Sequence, residues 1–201
     1  VNLHTVAIPA SVTSIKSSAF AYCGSLTLNE LPADLTNIGN NAFLYCRNLA
    51  LTALPASLTS IGSNAFEGFD KLALTELPAE LTIINLSVFK YCAGLALTEL
   101  PPGVTSIGTS AFEGCTSLAL TELPDNLTLI GITSFKNCTS LALTELPSGL
   151  TDISFNAFNG CTGLTRLRLG NALKSITTNA FTDCTNLTQI TCDFAHGAVS
   201  G

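Results

Sequence analysis

The sequence predicts an α/β solenoid, a spiral of short strands and tight helical turns, and two observations predict it. The first is a period of 23 residues without insertions, on which Phe20, Phe43, Phe66, Phe89, Phe112, Phe135, Phe158 and Phe181 all fall. Equivalent side chains of successive coils can then stack, as a solenoid requires. The second is composition: 47% of the 201 residues are hydrophobic and only 11% are charged, which excludes disorder driven by low hydrophobicity and self-repulsion. No coil can bury its apolar face alone, so coils must stack.

The elements follow in order along each coil. A short strand comes first and ends at a Leu-Pro or Ile-Pro pair, at Pro9, Pro32, Pro55, Pro78, Pro101, Pro124 and Pro147; Gly170 stands in that column in the last full coil. Proline fits a strand end because it has no N–H for the ladder and fixes φ. A second short strand carries an apolar pair three residues apart, from Val12 and Ile15 through Leu173 and Ile176. A Gly, Ser, Thr or Asn-rich turn then leads into a short helical or 3₁₀ turn that points Phe inward. Three residues after each Phe stands Cys23, Cys46, Phe69, Cys92, Cys115, Cys138, Cys161 or Cys184. Eight coils and part of a ninth span 1–192, and at about 4.8 Å per coil they make a rod or gentle arc of roughly 40 Å. Residues 193–201 leave the repeat and are expected to form a C-terminal tail or partial cap over Phe181 and Leu187.

The string from Cys92 to Cys115, CAGLALTELPPGVTSIGTSAFEGC, resembles the BspA-like leucine-rich repeats of bacterial and some protozoan surface proteins. The resemblance covers nearly the whole chain. It implies a right-handed leucine-rich-repeat coil with a parallel β-sheet, display on the cell surface, and adhesion to host matrix proteins or other cells. It transfers no contact residue, because its motif marks the core.

Family repeats usually read C..L..I.LP, a spacing kept by Leu3, Val6 and Ile8 and by Leu164, Leu167 and Leu169. In the six middle coils the second apolar residue comes one place early, at Leu28, Leu51, Leu74, Leu97, Leu120 and Leu143. Either these six Leu project as an exposed apolar stripe, or the backbone bulges and turns them inward. The bulge is the preferred reading, and six coils shifting together indicates a cooperative change of phase.

Charge and residue types narrow the function. A net charge of -6 with only eight Lys+Arg argues against nucleic acid and anionic membranes, and no apolar run is long enough to span a bilayer. The chain opens VNLHTVAIPA without an initiator Met or a signal-peptide pattern, so a processed chain or an excised fragment is expected. His4 and His196 lie at opposite ends, which leaves no Ser-His-Asp, Cys-His or multi-His zinc constellation within a coil. Neither catalysis nor a cofactor is expected. Glu76, Glu99, Glu122 and Glu145 form one column, which reads as a solvated acidic stripe open to a basic partner or a cation. Arg166 and Arg168 end that stripe, with Arg168 beside Glu145 in a surface ion pair and both available to a carboxylate. The Cys column, with Phe69 at one rung, reads as core volume filled by reduced thiols. Four N-x-S/T triplets, at Asn85, Asn126, Asn137 and Asn186, read as ordinary turn chemistry.

Recognition is expected where outward columns vary. Ile83 and Leu86, Leu129 and Ile132, and Phe155 stand at positions that are polar in other coils, and together predict a discontinuous apolar patch. Tyr22, Tyr45 and Tyr91 occupy a third variable column suited to an interface. The leading expectation is an extracellular, non-enzymatic protein-binding module. End-to-end self-association through strand edges is the alternative.

Overall fold

The computed structural model describes residues 3 to 192, and the C-terminal tail or partial cap expected at 193–201 lies outside the described residues. The chain winds as a β-solenoid of about eight 23-residue turns whose interior is one continuous column of stacked side chains. Phe43, Phe66, Phe89, Phe112, Phe135 and Phe158 are fully enclosed. Successive rings of the Phe column lie 5.3 to 5.8 Å apart and within 12° of parallel. Leu, Ile and Cys columns complete the core around them.

Eight strands of two residues each carry the Ile column, which is inward in the first seven and half exposed in the last: β1 Ser14–Ile15, β2 Asn37–Ile38, β3 Ser60–Ile61, β4 Ile83–Ile84, β5 Ser106–Ile107, β6 Leu129–Ile130, β7 Asp152–Ile153 and β9 Ser175–Ile176. Two longer strands, β8 Arg166–Leu169 and β10 Gln189–Cys192, occupy the segment expected to be extended before each proline. All pairings are parallel, with partners 23 residues apart in register. The sheets are β1-β2-β3, β4-β5-β6, β7-β9 and β10-β8.

The six early Leu are all buried, from Leu28 at 8% exposure to Leu51, Leu74, Leu97 and Leu120 at 0%. The backbone therefore bulges, and the exposed apolar stripe does not form. The displaced Thr52, Thr75, Thr98, Thr121 and Thr144 face water. This inward turn removes the pre-proline ladder: a bend replaces the strand, and single amide bonds such as Ala96 N–H to Leu74 O at 3.1 Å tie the middle coils together there. Only β8 and β10, which keep the unshifted apolar spacing, pair along four residues.

The helical component of the expected α/β class is not found: the described residues contain no α-helix and no 3₁₀-helix. Around Phe43, alternate amides are shared between two partners. Ala42, Leu44 and Cys46 donate to carbonyls three residues back, whereas Asn41, Phe43 and Tyr45 donate to Ser63, Ala65 and Glu67 of the next coil. A helix would keep all of them within the segment. The alternation needs left-handed residues, and two per coil supply it, such as Asn41 at φ 57° and Tyr45 at φ 55°. A helix of L-residues cannot contain them. No helix of the described residues is long and apolar enough to cross a membrane.

Glycine after the inward Ile sets how closely coils approach. At Gly39, Gly62, Gly108 and Gly131 an added Cβ would come within 2.5 to 2.7 Å of the preceding coil's backbone, and each glycine N–H reaches the preceding Ile carbonyl at 2.7 or 2.8 Å. Asn85 and Ser154 stand in this column in coils 4 and 7. There the side chain makes the bond instead, Asn85 Nδ2 to Ile61 O and Ser154 Oγ to Ile130 O, both at 2.7 Å. Among the described residues no strand pairing joins β3 to β4 or β6 to β7. At both places the side chain replaces the amide bond, whereas Thr177 in the same column of coil 8 bonds Ile153 O through both N–H and Oγ1 at 2.9 Å and β7 still pairs with β9.

Candidate functional surfaces

Strand register aligns one variable column along the outside of the short strands. Ile83 pairs with Ser106 and Ser106 with Leu129, so two apolar rows flank a row of small polar residues. Ile83, Leu86, Leu129, Ile132 and Phe155 are 43 to 53% exposed. Ile83 and Leu129 each precede an inward isoleucine, Ile84 and Ile130, which fills the core in their place. Beyond them the face is polar. Ser175 Oγ and Thr151 Oγ1 donate to the Asp152 carboxylate at 2.5 and 2.6 Å, and these two bonds hold its carboxyl below the usual range.

The acidic column lies along a neighbouring edge. Glu76, Glu99 and Glu122 line a groove of about 640 Å³ with Leu77, Leu100 and Leu123. A smaller groove of about 300 Å³ continues past Glu122 and Glu145 to Arg168. Arg168 meets Glu145 as an ion pair through Nη2 and Oε2, half exposed on both sides, and their backbones form a parallel bridge. Such an exposed pair contributes about 0 to 1 kcal/mol. Arg166 sits in β8 beside Gln189 of β10 and faces water. The structure keeps the acidic column and the apolar rows as separate surfaces. Among the described residues no group of three or more His, Cys, Asp or Glu could hold a metal ion.

The thiols are free and buried in the coils from Cys23 to Cys184, and they do more than fill volume. In six coils Sγ donates to the Phe carbonyl 26 residues earlier, at 2.8 Å for Cys46 and 3.0 Å for the other five. Burial pushes the Cys46 thiol up to about 11 and raises Cys92, Cys115 and Cys138 well above the ordinary range. They are held as neutral donors, not as nucleophiles.

With stacked Phe, inward Leu and Ile, and a hydrogen-bonded Cys in each repeat, the motif has its structural explanation. The model for the BspA type leucine-rich repeat region matches residues 1–119 and 105–196, with six copies. The chain belongs to the BspA-type leucine-rich repeat family. No curated protein matches it. The solenoid is similar to the crystal structure of a Treponema pallidum leucine-rich repeat protein, at 26% identity and TM-score 0.56, covering 92% of this chain and 78% of that one. It is also similar to a leucine-rich cell surface protein of Faecalibacterium prausnitzii, at 26% identity and TM-score 0.58, covering 96% of this chain. This chain spans 61% of that protein. A Eubacterium ventriosum leucine-rich repeat protein shares the fold at 21% identity and TM-score 0.52, with 94% of this chain and 66% of that one covered.

The BspA-type coils carry two further surface features. One column beside Phe alternates in sign, Glu67, Lys90, Glu113 and Lys136, and Lys90 Nζ meets Glu113 Oε2 at 3.0 Å. Opposite charges 23 residues apart were a signal legible in the sequence. The tyrosines occupy left-handed sites, Tyr22, Tyr45 and Tyr91 at φ 55° to 61°. The Tyr45 ring covers Gly68, where an added Cβ would lie 2.3 Å from Cδ1, and its hydroxyl donates to Glu67 at 3.0 Å. Tyr22 stacks on Tyr45 at 5.9 Å and is 64% exposed. Part of the tyrosine column is therefore spent on covering glycines of the next coil.

Proposed function

We propose that this chain is a non-enzymatic protein-binding module displayed outside the cell, where it contributes to adhesion or recognition. One observation carries the reading: Ile83, Leu86, Leu129, Ile132 and Phe155 stand exposed, in two columns that other coils fill with Ser, Thr, Asn or Asp. A regular core allows such columns to vary without disturbing the fold, and solvent-facing apolar clusters rimmed by polar residues mark contact sites. Membership of the BspA-type family and similarity to a leucine-rich cell surface protein support the surface location. The partner is a host matrix or cell-surface protein. Glu76, Glu99, Glu122 and Glu145, with Arg166 and Arg168, supply a second, charged contact on a separate surface.

The test is binding of the chain to a panel of immobilised extracellular-matrix proteins. Combining Ile83→Ser, Leu86→Ser, Ile132→Ser and Phe155→Ser is expected to abolish capture and leave the melting transition in place. Undiminished binding by that variant would remove this face as the contact surface. A second reading, end-to-end self-association, is favoured by Ile176 and Ile190, which are 50 and 44% exposed on the last described coils. Light scattering that grows with concentration would support it.

A further inference from the structure

The coils are not equally joined on all sides. Within each of the first two three-stranded sheets, the Ile face of neighbouring coils is held by strand pairing and by flanking amide bonds, such as Thr105 N–H to Thr82 O at 2.9 Å and Gly108 N–H to Ile84 O at 2.7 Å. Between coils 3 and 4 the equivalent bonds from the Thr82 and Asn85 amides are missing, and between coils 6 and 7 those from Thr151 and Ser154. One side-chain bond replaces them at each place. The Phe face of the same two junctions is intact. Phe66 and Gly68 donate to Val88 and Lys90 at 2.9 and 2.8 Å, and Phe135 and Asn137 to Ala157 and Asn159 at 2.9 and 2.7 Å. The Phe rings stack across both junctions at 5.8 and 5.4 Å.

A stack fastened fully on one face and by a single side chain on the other opens toward the weaker face. We propose that the solenoid is jointed at these two junctions, so that coils 1 to 3, coils 4 to 6 and the coils from 7 onward move as rigid blocks. The Phe face is the spine of each joint and the Ile face opens. Asn85 and Ser154 mark the joints because their side chains take the preceding Ile carbonyl in place of their own amides, whereas Thr177, in the same column of coil 8, reaches Ile153 O through both its N–H and its Oγ1 and keeps the ladder. Both joints border the apolar rows: Ile83 and Leu86 follow the first, and Ile132 and Phe155 lie on opposite sides of the second. Opening would alter the spacing of these side chains. That coupling to binding rests on the contact face proposed above, whereas the joints themselves do not.

The isoleucine column supplies one equivalent reporter per coil. With the δ1 methyl groups labelled in the whole chain, methyl relaxation dispersion reads motion in the microsecond to millisecond range of hinges. Exchange is expected at Ile61, Ile84, Ile130 and Ile153, which border the joints, and not at Ile38 and Ile107, which lie inside blocks. Asn85→Gly is expected to abolish it at the first joint only and Ser154→Gly at the second only. Both variants introduce the residue that four other coils already carry, so they are compatible with the fold. Absence of exchange at the bordering isoleucines, uniform exchange along the column, or exchange unchanged by the glycine variants would overturn the proposal. Matrix binding can fail without affecting this readout, which separates the two ideas.

Discussion

Phe112 shows what a single residue contributes. Its ring lies 5.8 Å from Phe89 and 5.5 Å from Phe135, nearly parallel to both, and none of it reaches water. Its carbonyl accepts the thiol of Cys138 at 3.0 Å and its amide donates to Ser134 of the next coil at 2.8 Å. Phe112→Ala leaves a cavity between two rings that cannot close without moving both coils. We expect a loss of about 3 to 5 kcal/mol, read as a shift in the urea midpoint. Ser106→Ala, half-buried in the outward column of the same coil, should shift it by less than about 0.5 kcal/mol. The inward column was legible because Phe recurs every 23 residues. The thiol bond was not, because burial of a small apolar group and donation to a carbonyl both select Cys, and Phe69 at one rung favours the first explanation.

At the scale of the strand, the distance between coils is set by one column. An added Cβ at Gly108 would meet Leu86 N at 2.7 Å and Asn85 C at 2.9 Å, whereas at Gly103 the nearest atoms are 3.8 Å away. Gly108→Ala is therefore expected to cost about 1 to 3 kcal/mol through displaced backbone, and Gly103→Ala to stay within about 0.5 kcal/mol of the parent. Comparing the two denaturation curves checks this, and equal midpoints would contradict the tight approach. The inward Leu of the middle coils followed from the shared phase shift at Leu28 through Leu143. The loss of the pre-proline ladder did not, because proline was compatible with either path. The helical expectation failed for a related reason: Ala-Phe pairs and 3₁₀-compatible turns look alike in sequence, and left-handed Ser18, Asn41 or Tyr45 become visible only once neighbouring coils share amides.

Across the whole molecule, the buried thiols make a common reserve of pH dependence. Burial favours the protonated form and outweighs the backbone hydrogen bonds that act the other way, so the folded values lie above the unfolded one of about 8.5. The stability they contribute is fully present below that pH. It declines as pH rises toward the folded value, about 11 for Cys46 and well above the ordinary range for Cys92, Cys115 and Cys138. Urea midpoints should hold steady from pH 7 to about 8.5 and then fall progressively up to about pH 10.5. A flat profile over that upper interval would show that the thiols ionise equally in both states. The overall architecture was the most legible feature, since a period without insertions admits few folds. The contact surface was legible only as a contrast between columns, because selection for a regular interior says little about what faces outward.

The bond from Asn85 to Ile61 has a practical side. Asn85 heads the triplet Asn85-Leu86-Ser87, yet its amide nitrogen is engaged between two coils at 2.7 Å. A eukaryotic secretion host that attached an oligosaccharide to the nascent chain at this point would place a bulky, hydrated branch where two laps must meet. The sugar and the closed packing exclude one another. Recombinant material made by such a host would differ in shape from material made in bacteria, and the choice of expression system is therefore a structural decision for this protein.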